Sequence, residues 1–213
     1  MKKGAIFDLD GTLVSSPGLH AKAWQELFLR YGIDLTEDEL KEQAGYKNVT
    51  FIGKVLERRG IKGLDSATIS SEKDEMVVNI LKEKPAEVIS GVKELLQLLK
   101  VNGIKIGLAT NATRRTGLVL SQGIIQFFDF KVFAEDVGHG KPDPEIFLKA
   151  AAGLGFGSGE CVVFEDAENG VEAAKNGKFF CIARDNKLGQ NLIKADLIIE
   201  DYKPEELIKL FID

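Results

Sequence analysis

Asp8 and Asp10 stand two residues apart where the apolar run G-A-I-F ends, and Gly11 and Thr12 follow at once. Residues two apart at a strand end point to one side, so the two carboxylates would be held close together. Such a pair repels, and keeping it takes a cation or a shared proton. Gly11 lets the chain turn sharply after the pair, and the Thr12 hydroxyl can support that turn. A second acidic pair, Glu165-Asp166, closes the apolar run C-V-V-F. Carboxylate oxygen suits hard Mg²⁺, so Asp166 facing Asp8 would complete a small oxygen site with positions left for water and phosphate. Glu165 would point elsewhere or act through water. Lys141, confined between Gly140 and Pro142, would balance charge beside a carboxylate nucleophile and a phosphate. Thr110 and Asn111 offer a hydroxyl and an amide to phosphoryl oxygens. Each group has a plainer explanation when taken singly. Acids can end a strand, a Glu-Asp pair can sit on a helix dipole, and Thr110-Asn111 can cap a helix starting near Thr113.

What joins them is the pattern of elements. Apolar runs over 4–9, 104–109, 130–134, 161–164, 179–183 and 197–199 alternate with amphipathic stretches at 91–102, 144–153 and 167–177. That alternation predicts an α/β fold, a doubly wound parallel sheet with helices on both faces. Ligands of such sheets bind beyond the carboxyl ends of the strands, and there the polar clusters would converge on one rim. Residues 18–82 break the alternation. They give four helices in succession, 18–31, 36–43, 48–59 and 66–82, broken by Gly32, Gly45 and Gly60–Gly63 and stopped before Pro85. The expectation is a Rossmann-like core of residues 1–15 and 86–213 carrying a small inserted helical cap of residues 16–85, with hinges near 13–17 and 83–89.

The 213 residues suffice for such a core with an insert. A formal net charge of -5 excludes the basic footprint of a nucleic-acid binder. It also requires a phosphate-binding chain of this charge to build a locally positive pocket. No apolar run approaches the ~18 residues of a membrane helix. The start, Met-Lys-Lys and then a strand, has no leader-like apolar segment, so a cytoplasmic location is expected. Cys161 and Cys181 lie inside apolar runs and are expected to be buried, reduced thiols. The glycines at 153, 155, 157 and 159 precede a strand instead of opening a helix, so they make a turn and not a dinucleotide loop. No phosphate-binding G-x-x-x-x-G-K-[ST] string occurs. No dimer stripe is apparent, and a monomer is expected.

In order along the chain stand D-L-D-G-T-L, L-A-T-N, G-K-P-D-P and F-E-D-A-E-N-G. Together they resemble the four motifs of the haloacid dehalogenase superfamily, over essentially the whole chain. The helical insert after the first motif resembles its subfamily with a small helical cap. The stretch H-A-K-A-W from His20 is similar to the β-phosphoglucomutase-like and sugar-phosphatase branch. This resemblance implies that Asp8 attacks phosphorus and carries an aspartyl phosphate, and that Asp10 is the general acid/base. It implies Mg²⁺ held by Asp8, the Asp10 carbonyl and Asp166, with Glu165 beside them. Thr110, Asn111 and Lys141 would hold the transferring phosphoryl group. His20 would couple cap closure to Asp10, and Ser16 would let Asp10 swing. The acid at position 10 marks phosphoryl transfer and argues against dehalogenation.

Mutases of this branch carry a lysine just before a cap glycine and an arginine three residues after it. Here the stretch is Gln43-Ala44-Gly45-Tyr46-Lys47-Asn48, with Ala44 and Asn48 at those positions. Without an arginine fork to grip a second phosphate, a phosphatase is expected ahead of a mutase, with Lys47 a partial substitute that keeps the mutase alternative. A metabolite-binding protein on a retired enzyme scaffold is the second alternative. Lys47 and Asn48, with Asn111 and His20, are the expected contacts to a small phosphate ester, and Tyr46, Phe51 and Lys54 are further candidates to face its leaving group.

Overall fold

The structure is a computed structural model that describes residues 2–212. Its first strand, β1 (Gly4–Phe7), is short and buried throughout, as a central parallel strand must be. A hairpin-like turn leads to the two-residue strand β2 (Val14–Ser15) and then to four helices: α1 (Pro17–Arg30), α2 (Glu37–Glu42), α3 (Asn48–Arg58) and α4 (Ser66–Glu83). The starts of α2 and α4 are written in the sequence. Thr36 and Glu39 form a reciprocal capping box at α2, and Asp65 accepts from two backbone N–H groups at the start of α4. The chain returns through β3 (Glu87–Val88), which pairs antiparallel with β2, Val14 opposite Val88 and Ser15 opposite Glu87. Thus the two crossings between sheet and helical insert are zipped side by side.

The α/β pattern then runs through α5 (Val92–Val101), β4 (Lys105–Ala109), α6 (Arg114–Leu120), β5 (Phe130–Val132), α7 (Glu145–Leu154), β6 (Cys161–Glu165), α8 (Glu168–Asn176), β7 (Phe180–Arg184), β8 (Leu197–Ile199), α9 (Pro204–Leu207) and α10 (Lys209–Ile212). Six strands form one sheet in the order β5-β4-β1-β6-β7-β8, all parallel. The order reverses beside β1, which is where a doubly wound sheet opens a crevice for ligands.

Alternate residues of each strand feed opposite faces. Phe7, Leu108, Val162 and Phe164 pack with Leu95, Leu96 and Leu99 of α5 and Phe211 of α10. Ile6, Val163 and the free, buried thiols of Cys161 and Cys181 pack with Ile146 and Phe147 of α7 and Val171 of α8. Burial pushes the Cys161 thiol up to about 11, so it is an inert packing group at neutral pH. The insert has its own apolar cluster, built on Trp24, Phe28 and Phe51 with Leu27, Ile52 and Val55. Phe51 is 1% exposed there, which removes it from the residues facing a ligand. The sequence patterning missed short elements, among them the β2–β3 pair and the two C-terminal turns of helix. Two-residue strands carry no periodicity to detect. Among the described residues, no helix is long and apolar enough to cross a membrane.

Candidate active site

The carboxyl ends of β1, β4 and β6 meet beneath the insert around a cavity of about 80 Å³, room for only a few waters. Asp8, Asp10, Thr110, Asn111, Glu165 and Asp166 line it from the sheet, and His20, Ala44, Gly45, Tyr46, Asn48 and Lys73 from the insert. The residues read at the ends of β1, β4 and β6 therefore share one cavity, and Lys141 joins them through Asp8 and Glu165.

Lys141 is the charge anchor. Its Nζ donates to Asp8 Oδ1 at 2.5 Å and to Glu165 Oε1 at 2.6 Å, with the lysine side chain 0% exposed. The other oxygen of Glu165 accepts the backbone N–H groups of Asp166 and Ala167 at the start of α8. Glu165 thus orients Lys141 and closes the helix end. Gly170 leaves room for this carboxylate, since a Cβ there would fall 1.8 Å from Glu165 Oε1.

Asp166 is held from two sides. Thr12 Oγ1 donates to its Oδ1 at 3.0 Å, and Asn186 Nδ2 to its Oδ2 at 2.7 Å. Oxygens of Asp8, Glu165 and Asp166 lie within 4.8 Å of one another. One ammonium faces these three buried carboxylates, so negative charge is in excess. Burial, with the charges of Glu165 and Asp10 and against that of Lys141, pushes Asp8 up to about 8. Burial and the charges of Glu165 and Asp8 hold Asp166 well above the usual carboxylate range. Burial opposes the charge of Lys141, yet Asp8 and Glu165 keep it protonated. A hard divalent cation on this all-oxygen donor set would supply the missing positive charge.

Asp10 is tied to the insert instead. Its Oδ1 accepts from Ser16 Oγ and lies 2.7 Å from His20 Nε2. His20 Nδ1 is 2.8 Å from Lys73 Nζ, which also donates to Asn48 Oδ1 at 3.3 Å. Asn48 Nδ2 donates to Asp74 Oδ1, which in turn accepts from Thr116 of α6 at 3.1 Å. A continuous polar chain thus runs from Asp10 through the insert and back to the sheet side. Burial raises the Asp10 pKa, but His20, Ser16 and Lys73 outweigh it and leave Asp10 below its ordinary value. Burial brings Lys73 down to about 8, against the charges of Asp74 and Asp10.

Several expected contacts sit elsewhere. Lys47 donates to the Val137 carbonyl at 3.0 Å and packs along Gly140, so it ties insert to sheet outside the cavity. Lys54 donates to Glu42 and Tyr46 on the insert surface and does not line the site. The Asn48 amide lines the cavity with its hydrogen bonds directed to Lys73, Asp74 and Ser70. Asn111 Nδ2 donates to the Gly45 carbonyl at 2.6 Å. The cap of α6 is Thr113, which leaves Thr110 and Asn111 to the cavity. Sequence patterning passed over Lys73 and Asn186. Lysine in a polar helix gives no signal, whereas Asn186 follows β7 and was accessible to the same strand-end rule.

A sequence model described as haloacid dehalogenase-like hydrolase matches residues 2–178. The chain belongs to the haloacid dehalogenase-like hydrolase family. It is 32% identical over 216 residues to a phosphorylated carbohydrates phosphatase of Thermotoga maritima, covering 98% of this chain and 97% of that one. It is 30% identical over 205 residues to a β-phosphoglucomutase of Bacillus subtilis, covering 92% and 88%. The crystal structure of a β-phosphoglucomutase from Clostridium difficile superposes with a TM-score of 0.88 at 28% identity, over 98% of this chain and 96% of that one.

Proposed function

We propose that this protein is a Mg²⁺-dependent phosphatase of a small phosphorylated sugar, working through a phosphoryl group carried on Asp8. The observation that carries this reading is the buried Lys141 shared by Asp8 and Glu165, two residues that line the same cavity as Asp10. A carboxylate placed against a fixed ammonium suits a nucleophile that must accept a phosphoryl group's charge. Residues 16–85 act as a cap, hinged at the β2–β3 pair, that parts from the sheet to admit the ester and closes to expel water.

An Asp8 carboxylate oxygen forms a bond to phosphorus as the bond from phosphorus to the sugar oxygen breaks. That oxygen takes a proton from Asp10, which returns as the base that deprotonates the water releasing phosphate from Asp8. Thr110, Asn111 and Lys141 hold the phosphoryl oxygens between the two steps. Mg²⁺ would be held by Asp8, Asp166 and the Asp10 carbonyl and would offset phosphoryl charge. His20, fixed by Lys73, orients Asp10 while the cap is closed. With the cap parted that contact is broken, and Asp10 takes up from solvent the proton it later gives to the sugar oxygen.

Phosphatase stands ahead of mutase because of what the insert presents to the cavity. Ala44 and Gly45 are uncharged, and the one lysine, Lys73, is engaged by His20 and Asn48. That leaves no forked cation for a second phosphate. The resemblance to both a carbohydrate phosphatase and a phosphoglucomutase supports a sugar phosphate as substrate. Phosphorus NMR with Mg²⁺, a panel of hexose and pentose phosphates and a trace of glucose bisphosphate tests this. Inorganic phosphate released by the protein, and not by its Asp8→Asn variant, supports the proposal. Glucose 6-phosphate formed from β-glucose 1-phosphate without net phosphate release would overturn it in favour of a mutase.

A further inference from the structure

Beyond β7 the chain turns through Arg184-Asp185-Asn186-Lys187-Leu188-Gly189-Gln190 over the rim of the cavity. Lys187 and Gly189 both take positive φ, 62° and 75°, so this is a tight, defined turn and not a loose excursion. Asn186 uses both ends of its amide. Nδ2 donates to Asp166 Oδ2 at 2.7 Å, and Oδ1 accepts the backbone N–H of Leu188 at 3.0 Å. That second bond is an Asx turn, and it sets Leu188 and Gln190 on the cavity wall. The turn is also anchored to the first motif, where Arg184 Nη1 donates to the Gly11 carbonyl at 3.0 Å.

We propose that Asn186 is a positioning residue for the cation, resting on the metal-assisted phosphatase reading above. Thr12 and Asn186 bracket Asp166, one hydrogen bond on each oxygen, and so fix the rotation of its carboxylate. An outer partner of this kind governs how firmly a ligand holds its metal. Because the same amide shapes the turn that carries Leu188 and Gln190, this stretch of the cavity wall and the metal ligand are held by one side chain.

Calorimetric titration of Mg²⁺ into the metal-free protein tests this without any turnover. Asn186→Ala weakens Mg²⁺ binding roughly 10- to 100-fold. Lys187→Ala, on the same turn but facing solvent with bridges to Asp185 and Glu200, leaves the affinity unchanged. In phosphate release, raising Mg²⁺ restores kcat of Asn186→Ala towards that of the unaltered protein, which a general loss of structure would not allow. Asp166→Asn serves as the reference for losing the ligand itself. Unchanged affinity in Asn186→Ala alongside weakened affinity in Asp166→Asn overturns the role of Asn186 alone. Unchanged affinity in both shows that the cation does not rest on Asp166, and then the metal assignment falls with the proposal.

Discussion

The Lys141 ammonium lies 2.5 Å from Asp8 Oδ1, and neither side chain is more than 8% exposed. A pair this dry cannot exchange its partner for water, so the two groups stand or fall together. Glu165 completes the arrangement from behind the lysine.

Removing the lysine therefore strands two carboxylates. Lys141→Met should lower kcat for phosphate release at least as far as general acid/base loss does, about 10²- to 10⁴-fold. It should also lower the unfolding free energy by about 3–5 kcal/mol, as when one partner of a buried pair is deleted. Urea denaturation and steady-state kinetics read the two effects separately. A variant as stable as the parent would show that the pair is not desolvated in solution.

The acidic cluster gives stability a particular pH dependence. Asp8 is raised from 3.8 to about 8, so between those values the native chain keeps a proton that the unfolded chain has released. Metal-free stability should fall as pH rises across that window, by at most about 1.4 kcal/mol per pH unit from this group. Mg²⁺ favours the ionised carboxylates and should raise Tm more at pH 8 than at pH 5. Melting curves with and without Mg²⁺ check this, and Asp8→Asn should flatten the metal-free slope.

His20 lowers the Asp10 pKa against the upward push of burial. In His20→Gln that pull disappears and the Asp10 pKa rises. The acidic limb of the pH–kcat profile, where the base form of Asp10 is lost, should move to higher pH. An unmoved limb with reduced kcat would mean that His20 orients Asp10 without tuning it.

Gly45 makes a close contact between the insert and the sheet side. Its φ is +73°, and a Cβ there would lie 2.1 Å from Asn169 Oδ1. Asn111 meets it from the other side at the carbonyl. Gly45→Ala should keep the fold, because this strain lies at the seam and outside the apolar clusters, but it should prevent tight docking. Expected are a lower kcat and a higher KM with near-parental Tm; a matching loss of Tm would assign Gly45 to folding instead.

Much of the sheet and its rim was legible because the controlling physics is local. An apolar run ending in charged residues marks both a buried strand and its reactive end, as at Phe7-Asp8 and Phe164-Glu165. The strand spans differ from the sequence expectation by only a residue or two, for example Phe180–Arg184 against 179–183. The helical insert was legible from periodicity, while the direction of its side chains was not. Lys47 and Lys54 look like ligand groups in a string of letters, and only the packing of insert against sheet turns them to Val137 and Glu42. Lys73 shows the converse. Its companions, His20 and Asn48, come from two other helices, so no spacing within α4 could announce it.

Val14 and Val88 face each other across the β2–β3 pair, so the intervening helices leave and rejoin the sheet at a single point. The strand ends bearing Asp8 and Asp166 take their register from β4, β6 and β7. Helices hung between the two valines can therefore differ in length or composition without shifting that register, provided Ser16, His20 and Lys73 still reach Asp10.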